Sequence, residues 1–220
     1  AEAAARQRAE EKANQLAEEK RIKQEKMDAW DKQVGWISAD CIFEKVNTAI
    51  ANKTPIVLEN GEVLPDEMAG KIAKHVNRFP TKARNLINAR YDNLQPMFNE
   101  KECLNILSEM DKYFYATDIN HMKFIDENGK PFFTSEQCKE LLQVKSEYRD
   151  RDISHFMNTQ RKYSAKEIVE LVQNRYITTN SYWYPYDKFA NEKNEQGEYK
   201  YTVSEAIELA KNNMRKGWFN

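Results

Sequence analysis

Ile125-Asp126-Glu127-Asn128-Gly129-Lys130-Pro131-Phe132-Phe133-Thr134-Ser135-Glu136-Gln137-Cys138 is the stretch on which the reading of this fold turns. Asn-Gly between apolar residues is a hairpin signal, because a two-residue turn of this kind asks both central residues for positive φ. Immediately after it, Thr134 and Gln137 stand three apart in a capping box, where each side chain accepts from the other residue's backbone N–H. Phe133 and Cys138 flank the box at the two positions of a hydrophobic staple. The stretch reads as hairpin, staple, helix.

Its second half recurs in Phe98-Asn99-Glu100-Lys101-Glu102-Cys103, Tyr163-Ser164-Ala165-Lys166-Glu167-Ile168 and Tyr201-Thr202-Val203-Ser204-Glu205-Ala206. The pattern predicts four helix starts. Its first half recurs in Ile56–Leu64, around Asn60-Gly61, and more loosely from Phe189 through Gly197 to Tyr201. A solenoid would hold a tighter period than these starts do, so repeated use of a good helix-start signal in an ordinary helical domain explains the recurrence better.

Other helices follow from periodicity. Ser38 or Asp40 can cap one carrying Ile42, Phe43, Val46 and Ile50. Pro65 suits a first helical position and opens another over about 66–78, with Met68, Ile72 and Val76 on one face. Phe79-Pro80 breaks that helix, and 81–93 reads as helical again.

Residues 1 to about 30 differ from the rest: Ala, Glu, Gln, Lys and Arg with neither Gly nor Pro, all good helix formers. Pairs such as Glu2 with Arg6 and Glu19 with Lys23 add i,i+4 support. Leu16, Ile22, Met27 and Trp30 make a sparse apolar set, to which Ala9, Ala13 and Ala17 can add. The segment is a long exposed helix, and two alternatives stay open for it: a coiled coil with a partner or with itself, or an isolated charged helix. The fold class is thus mainly α, a helical domain over 35–220 with two or three short β-hairpins, preceded by an extended charged helix over 1–34.

Bulk properties narrow the function. The formal net charge of −1 provides no global field toward nucleic acid or anionic membranes, so such binding needs a local patch. No apolar run approaches a membrane span. The three cysteines, Cys41, Cys103 and Cys138, have no metal-type spacing, and each falls where a helix buries a small residue. Reduced core thiols of this kind favour a cytoplasmic setting, although a chain beginning at Ala1 also fits a processed form. Frequent lysine and asparagine suggest an AT-rich bacterial or phage source.

Two outliers point to partners. Between Ala69 and Pro96, Lys71, Lys74, Arg78, Lys82, Arg84 and Arg90 face a single acid, Asp92. A helix pair broken at Phe79-Pro80 can offer these cations to an acidic partner or, as a second reading, to DNA or RNA over 69–93. Tyr182-Trp183-Tyr184, with Tyr186 and the C-terminal Trp218, forms an aromatic set of the kind that dominates interfaces.

Catalytic signals are weak. Asp118 with His121 and Asp152 with His155 each place an acid and an imidazole three apart, a pattern open to a metal-dependent nuclease or hydrolase. Helical turns capped by the aspartates explain the pairs better. Asp126, Asn128 and Gly129 approach a calcium-loop register, but Lys130, Pro131 and Gln137 stand where such a loop needs an oxygen ligand, a glycine and an acid. No cofactor or metal is expected. The sequence best supports a protein-interaction or assembly module, with self-association or a protein partner engaged through the N-terminal helix.

Overall fold

The computed structural model describes residues 2–113, 119–179 and 186–217, and the chain divides into two compact units, Ala1–Ser108 and Glu109–Asn220. That division falls inside the 35–220 stretch expected to be one domain. Tyr182, Trp183, Tyr184, Trp218 and Asp118 lie outside the described residues. Among the described residues no helix is long and apolar enough to cross a membrane.

The first unit holds α1 (Glu2–Val34), α2 (Ala39–Asn52), α3 (Asp66–Arg78), α4 (Pro80–Ile87) and α5 (Glu100–Ser108). Apolar positions three and four apart give each short helix a buried stripe: Ile42, Val46 and Ala49 on α2, Ala69, Ile72 and Val76 on α3, Cys103, Leu104 and Leu107 on α5. α3 packs against α2, α4 and α5. Ser38 caps α2 by accepting from the backbone N–H of Cys41 at 3.2 Å. Pro80 stands at the start of α4, where its missing N–H costs nothing. Pro65, expected inside the start of α3, sits one place earlier as its N-cap.

The second unit holds α6 (Ser135–Leu141), α7 (Ser146–Met157), α8 (Ala165–Gln173), α9 (Arg175–Thr178), α10 (Tyr186–Asn191) and α11 (Val203–Gly217), with 3₁₀ turns at Met110–Lys112 and Asn120–Met122. α8 is central, touching α6, α7, α9 and α11, and it buries Ile168, Val169, Leu171 and Val172. Arg161, only 7% exposed, fastens this unit internally. Its guanidinium donates to the carbonyls of Ala190 (2.8 Å) and Tyr201 (3.2 Å) and lies over the rings of Tyr199 and Tyr163. Nothing local in the sequence marks Arg161 for burial.

All four capping boxes form. Asn99 and Glu102 exchange hydrogen bonds of 2.9 and 2.8 Å, and Thr134–Gln137, Ser164–Glu167 and Thr202–Glu205 do the same at the starts of α6, α8 and α11. Hydrogen bonds from the backbone and hydroxyl of Thr202 hold the Glu205 carboxyl below its ordinary pKa.

The expected β-hairpins do not form as strand pairs. Each is reduced to one isolated antiparallel bridge, and among the described residues there are four: Val57 with Val63, Arg90 with Pro96, Ile125 with Pro131, Lys193 with Tyr199. The wiring is the same each time. Inside the bridge, Leu58, Tyr91, Asp126 and Asn194 donate to the carbonyls of Glu62, Gln95, Lys130 and Glu198 at 2.7–2.9 Å. Outside it, Leu64, Met97, Phe132 and Lys200 donate back to Ile56, Ala89, Phe124 and Glu192 at 2.8–2.9 Å. The apex residues Gly61, Leu94, Gly129 and Gly197 all have φ between 74° and 83°. The ladder stops because the helix cap arrives two or three residues past the second bridge partner, at Pro65, Asn99, Thr134 and Thr202.

The turn at Arg90–Pro96 occupies residues expected to belong to a helix over 81–93, so α4 ends at Ile87. Its apex is Leu94, not glycine, which hides it from a search for Asn-Gly. Four turns with one hydrogen-bond scheme show a closer internal likeness than a shared helix-start signal.

Replacing Ser164 by alanine removes one half of a formed box and is expected to cost about 1 kcal/mol. Thermal unfolding should show a melting temperature lower by several degrees, with Ser164→Gly falling by much less.

Candidate functional site

The first unit carries an open cleft of about 490 Å³ between α2 and the first bridged turn. Cys41, Glu44, Lys45, Thr48 and Ala49 line it from α2, and Thr54, Pro55, Ile56, Val57 and Glu59 from the other side. Val57 and Val63 form a bridge without hydrogen bonds between themselves, the arrangement in which facing side chains come closest. They are 49% and 57% exposed, and Ile50 near the end of α2 is 47% exposed. An apolar pair thus stands in solvent, and one of its members, Val57, also lines the cleft.

A buried carboxylate fixes this region. Glu100, 5% exposed, accepts from Lys45 Nζ at 2.6 Å and from the backbone N–H of Glu59 at 2.8 Å. Lys45 also pairs with Glu59 at 2.7 Å. Burial works against the charge on Lys45, but hydrogen bonds to Glu100 and Glu59 outweigh it and raise its pKa above the usual lysine range. Glu100 therefore joins α5, α2 and the first turn. In sequence it reads only as an acid in the first turn of a helix, well placed for the macrodipole, and nothing betrays its burial.

The cysteines divide. Cys103 and Cys138 are buried, and burial pushes the Cys103 thiol far up. Cys41, expected in the core, is exposed and lines the cleft. The buried stripe of α2 runs through Ile42, Val46 and Ala49, and Cys41 lies off it.

The six cations of the basic stretch are not gathered into one field. Arg90 is drawn inward, its guanidinium gripping both oxygens of Asp31 (2.6 and 3.0 Å) and lying over Trp36. It is a structural residue, not the surface contact expected. Arg84 pairs with Asp40 at 2.7 Å and covers Phe43, and Lys71 lies 3.4 Å from Glu67. Arg78 and Lys82 both sit over the ring of Phe79, at 5.0 and 4.9 Å, and Lys74 is exposed on α3. The helix break thus places two cations over one aromatic ring.

In the second unit, Asp152 is 1% exposed and accepts from Arg175 (3.1 Å) and Arg151 (3.4 Å), while Arg175 lies 3.9 Å over Tyr148. Two guanidinia hold this carboxylate. His155 is exposed and packs edge-on against Phe156. His121 Nδ1 lies 3.8 Å from Asp150 Oδ2, an ion pair only when the imidazole is protonated. Among the described residues, no group of three or more His, Cys, Asp or Glu could hold a metal ion. The turn that approached a calcium register spends Asp126 Oδ1 on the backbone N–H groups of Asn128 (2.8 Å) and Lys130 (2.9 Å). Tyr186, expected among the interface aromatics, is 1% exposed and belongs to the core, where burial pushes its hydroxyl up.

No family model, curated protein or solved structure matches this chain.

Replacing Glu100 by alanine leaves the part-buried ammonium of Lys45 with Glu59 alone and takes the acceptor from the N–H of Glu59, and should cost roughly 1–3 kcal/mol in chemical denaturation. A second expectation concerns reactivity. At neutral pH a maleimide should modify Cys41 alone in the native protein and all three cysteines in denaturant, as read by intact mass.

Proposed function

We propose that the protein is a protein-interaction or assembly module, part of a larger complex in a bacterial or phage system. The observation that carries this reading is the Val57–Val63 pair, two large apolar side chains held in solvent by a rigid turn beside a cleft. Isolated exposed apolar residues are ordinary, but a bridged pair of which one member lines a cleft with Glu44, Lys45 and Glu59 brings apolar and polar groups together as interfaces do. The Glu100 lock supports it, since a pre-organised surface loses less entropy on binding.

A second reading, nucleic-acid binding, draws on one observation of its own. Arg78 and Lys82 are ordered over Phe79, and Lys74 stands exposed on the same helix as Arg78, a combination of cations and an aromatic that suits a phosphate backbone. With Arg84 and Arg90 engaged by Asp40 and Asp31, that patch is smaller than the stretch of sequence suggests.

A photo-crosslinker at Val63 separates the readings. In cells of the native host it should join the protein to a polypeptide partner, and Val57→Asp should abolish the adduct. Loss of the interaction reading would follow from no adduct, or from one that Val57→Asp leaves intact. A gel shift that weakens steeply with salt and disappears in the triple substitution Lys74→Glu, Arg78→Glu, Lys82→Glu would favour nucleic acid instead.

A further inference from the structure

We propose that α1 is a rigid, unpaired arm whose root is clamped to the first unit, so that its exposed stretch leaves that unit on a fixed bearing. The inference stands independently of what the cleft binds. It rests on the contrast between the two ends of this helix.

At the root, every connection is specific. Asp31, in the last turn, takes both oxygens of its carboxylate to the Arg90 guanidinium. Arg90 is held in turn by the Leu94 carbonyl (2.9 Å) and by the Trp36 ring beneath it at 4.8 Å. Trp36 Nε1 donates to the Ile87 carbonyl at 2.7 Å. The helix closes on Gly35, at φ 73°, with the N–H groups of Gly35 and Trp36 both donating to the Asp31 carbonyl, and the Gly35 carbonyl accepts from Glu100. A bidentate ion pair, a stacked ring and three backbone anchors leave the exit direction of α1 little freedom.

Beyond the root, residues 5–26 are all exposed. A helix without tertiary contacts must be stabilised from within, and this one is. Gln7 donates to Glu11, Arg21 bridges Glu18 and Glu25, and Gln24 donates to Asp28, each one turn apart. A coiled-coil seam needs apolar residues on one face. Leu16 and Ile22, the two large ones, are six residues apart, which puts them about 120° apart around the axis at roughly 100° per residue. Continuing the alanine spacing from Ala9, Ala13 and Leu16 brings Lys20 and Lys23 into the seam. The two lysines break the stripe between Leu16 and Met27 and leave a second helix no continuous apolar seam, and the exposed stretch extends about 1.5 Å per residue from its anchor.

Pulsed electron spin resonance on the full chain tests the arm. One spin label goes on native Cys41 and a second on Gln7→Cys, with the buried thiols untouched. The expected result is one narrow distance distribution, unchanged on tenfold dilution, that broadens at least twofold in Asp31→Asn while circular dichroism stays near that of the parent. A chain labelled only at Gln7→Cys, with Cys41→Ser, should give no intermolecular dipolar signal. A broad Gln7–Cys41 distribution in the parent would overturn the rigid root, and a short intermolecular distance would overturn the unpaired arm. Should Asp31→Asn unfold, the parent distribution and the singly labelled chain still decide both points.

Discussion

Short helices expose more of their backbone than they bury, and satisfying their first N–H groups is the constraint this structure answers most often. The capped helices α6 and α8 run seven and nine residues, so four unsatisfied donors at the start are a large fraction of the backbone. Helices of this length have no independent stability in water. They persist here because a cap satisfies the donors while the stripe behind the cap is buried. The bridged turn before three of these four boxes delivers the chain to the cap at a fixed distance. Turn, cap and stripe form one device: the apex gives reversal, the bridge gives register, and the box gives the helix its direction.

The two units use ionic groups to secure the same kind of junction. In the first, Glu100 ties a helix start to the opening turn through Lys45 and the Glu59 N–H. In the second, Arg161 reaches the carbonyls on either side of the fourth turn. One buried charge of each sign is thus spent on backbone groups around a turn, where a purely apolar core would leave them unpaired. These groups recruit the polar atoms that the reduced bridges leave over, since a single bridge satisfies far less backbone than a strand pair would.

How much of this was legible follows from where each signal resides. Caps are local, so Asn99, Thr134, Ser164 and Thr202 could be read from four consecutive letters each, and the structure forms every one. Asn-Gly pointed to two reversals, but the strands inferred around them depended on how far pairing would extend, and the caps cut it short. The turn at Leu94 was invisible because a leucine occupies the left-handed position, and only the tertiary setting makes that acceptable. The candidate site was less legible still. The burial of Glu100, the inward pull on Arg90 and the outward face of Cys41 are decided by packing between segments far apart in sequence. The cationic stretch looked uniform as a string, yet Asp31 and Asp40, remote in the chain, draw Arg90 and Arg84 out of it.

The Asn-Gly apices have one more consequence, in chemical ageing. Asparagine followed by glycine is the sequence most open to deamidation, because the glycine amide nitrogen can attack the side-chain carbonyl without steric hindrance. In the folded turns that nitrogen is occupied: Gly61 N–H donates to Leu58 and Gly129 N–H donates to Asp126, at 2.9 and 3.0 Å. The geometry that makes Asn60-Gly61 and Asn128-Gly129 good turn formers also holds the attacking atom out of reach. Unfolding releases it. Isoaspartate at these two positions is thus a slow chemical record of how long each turn has spent open.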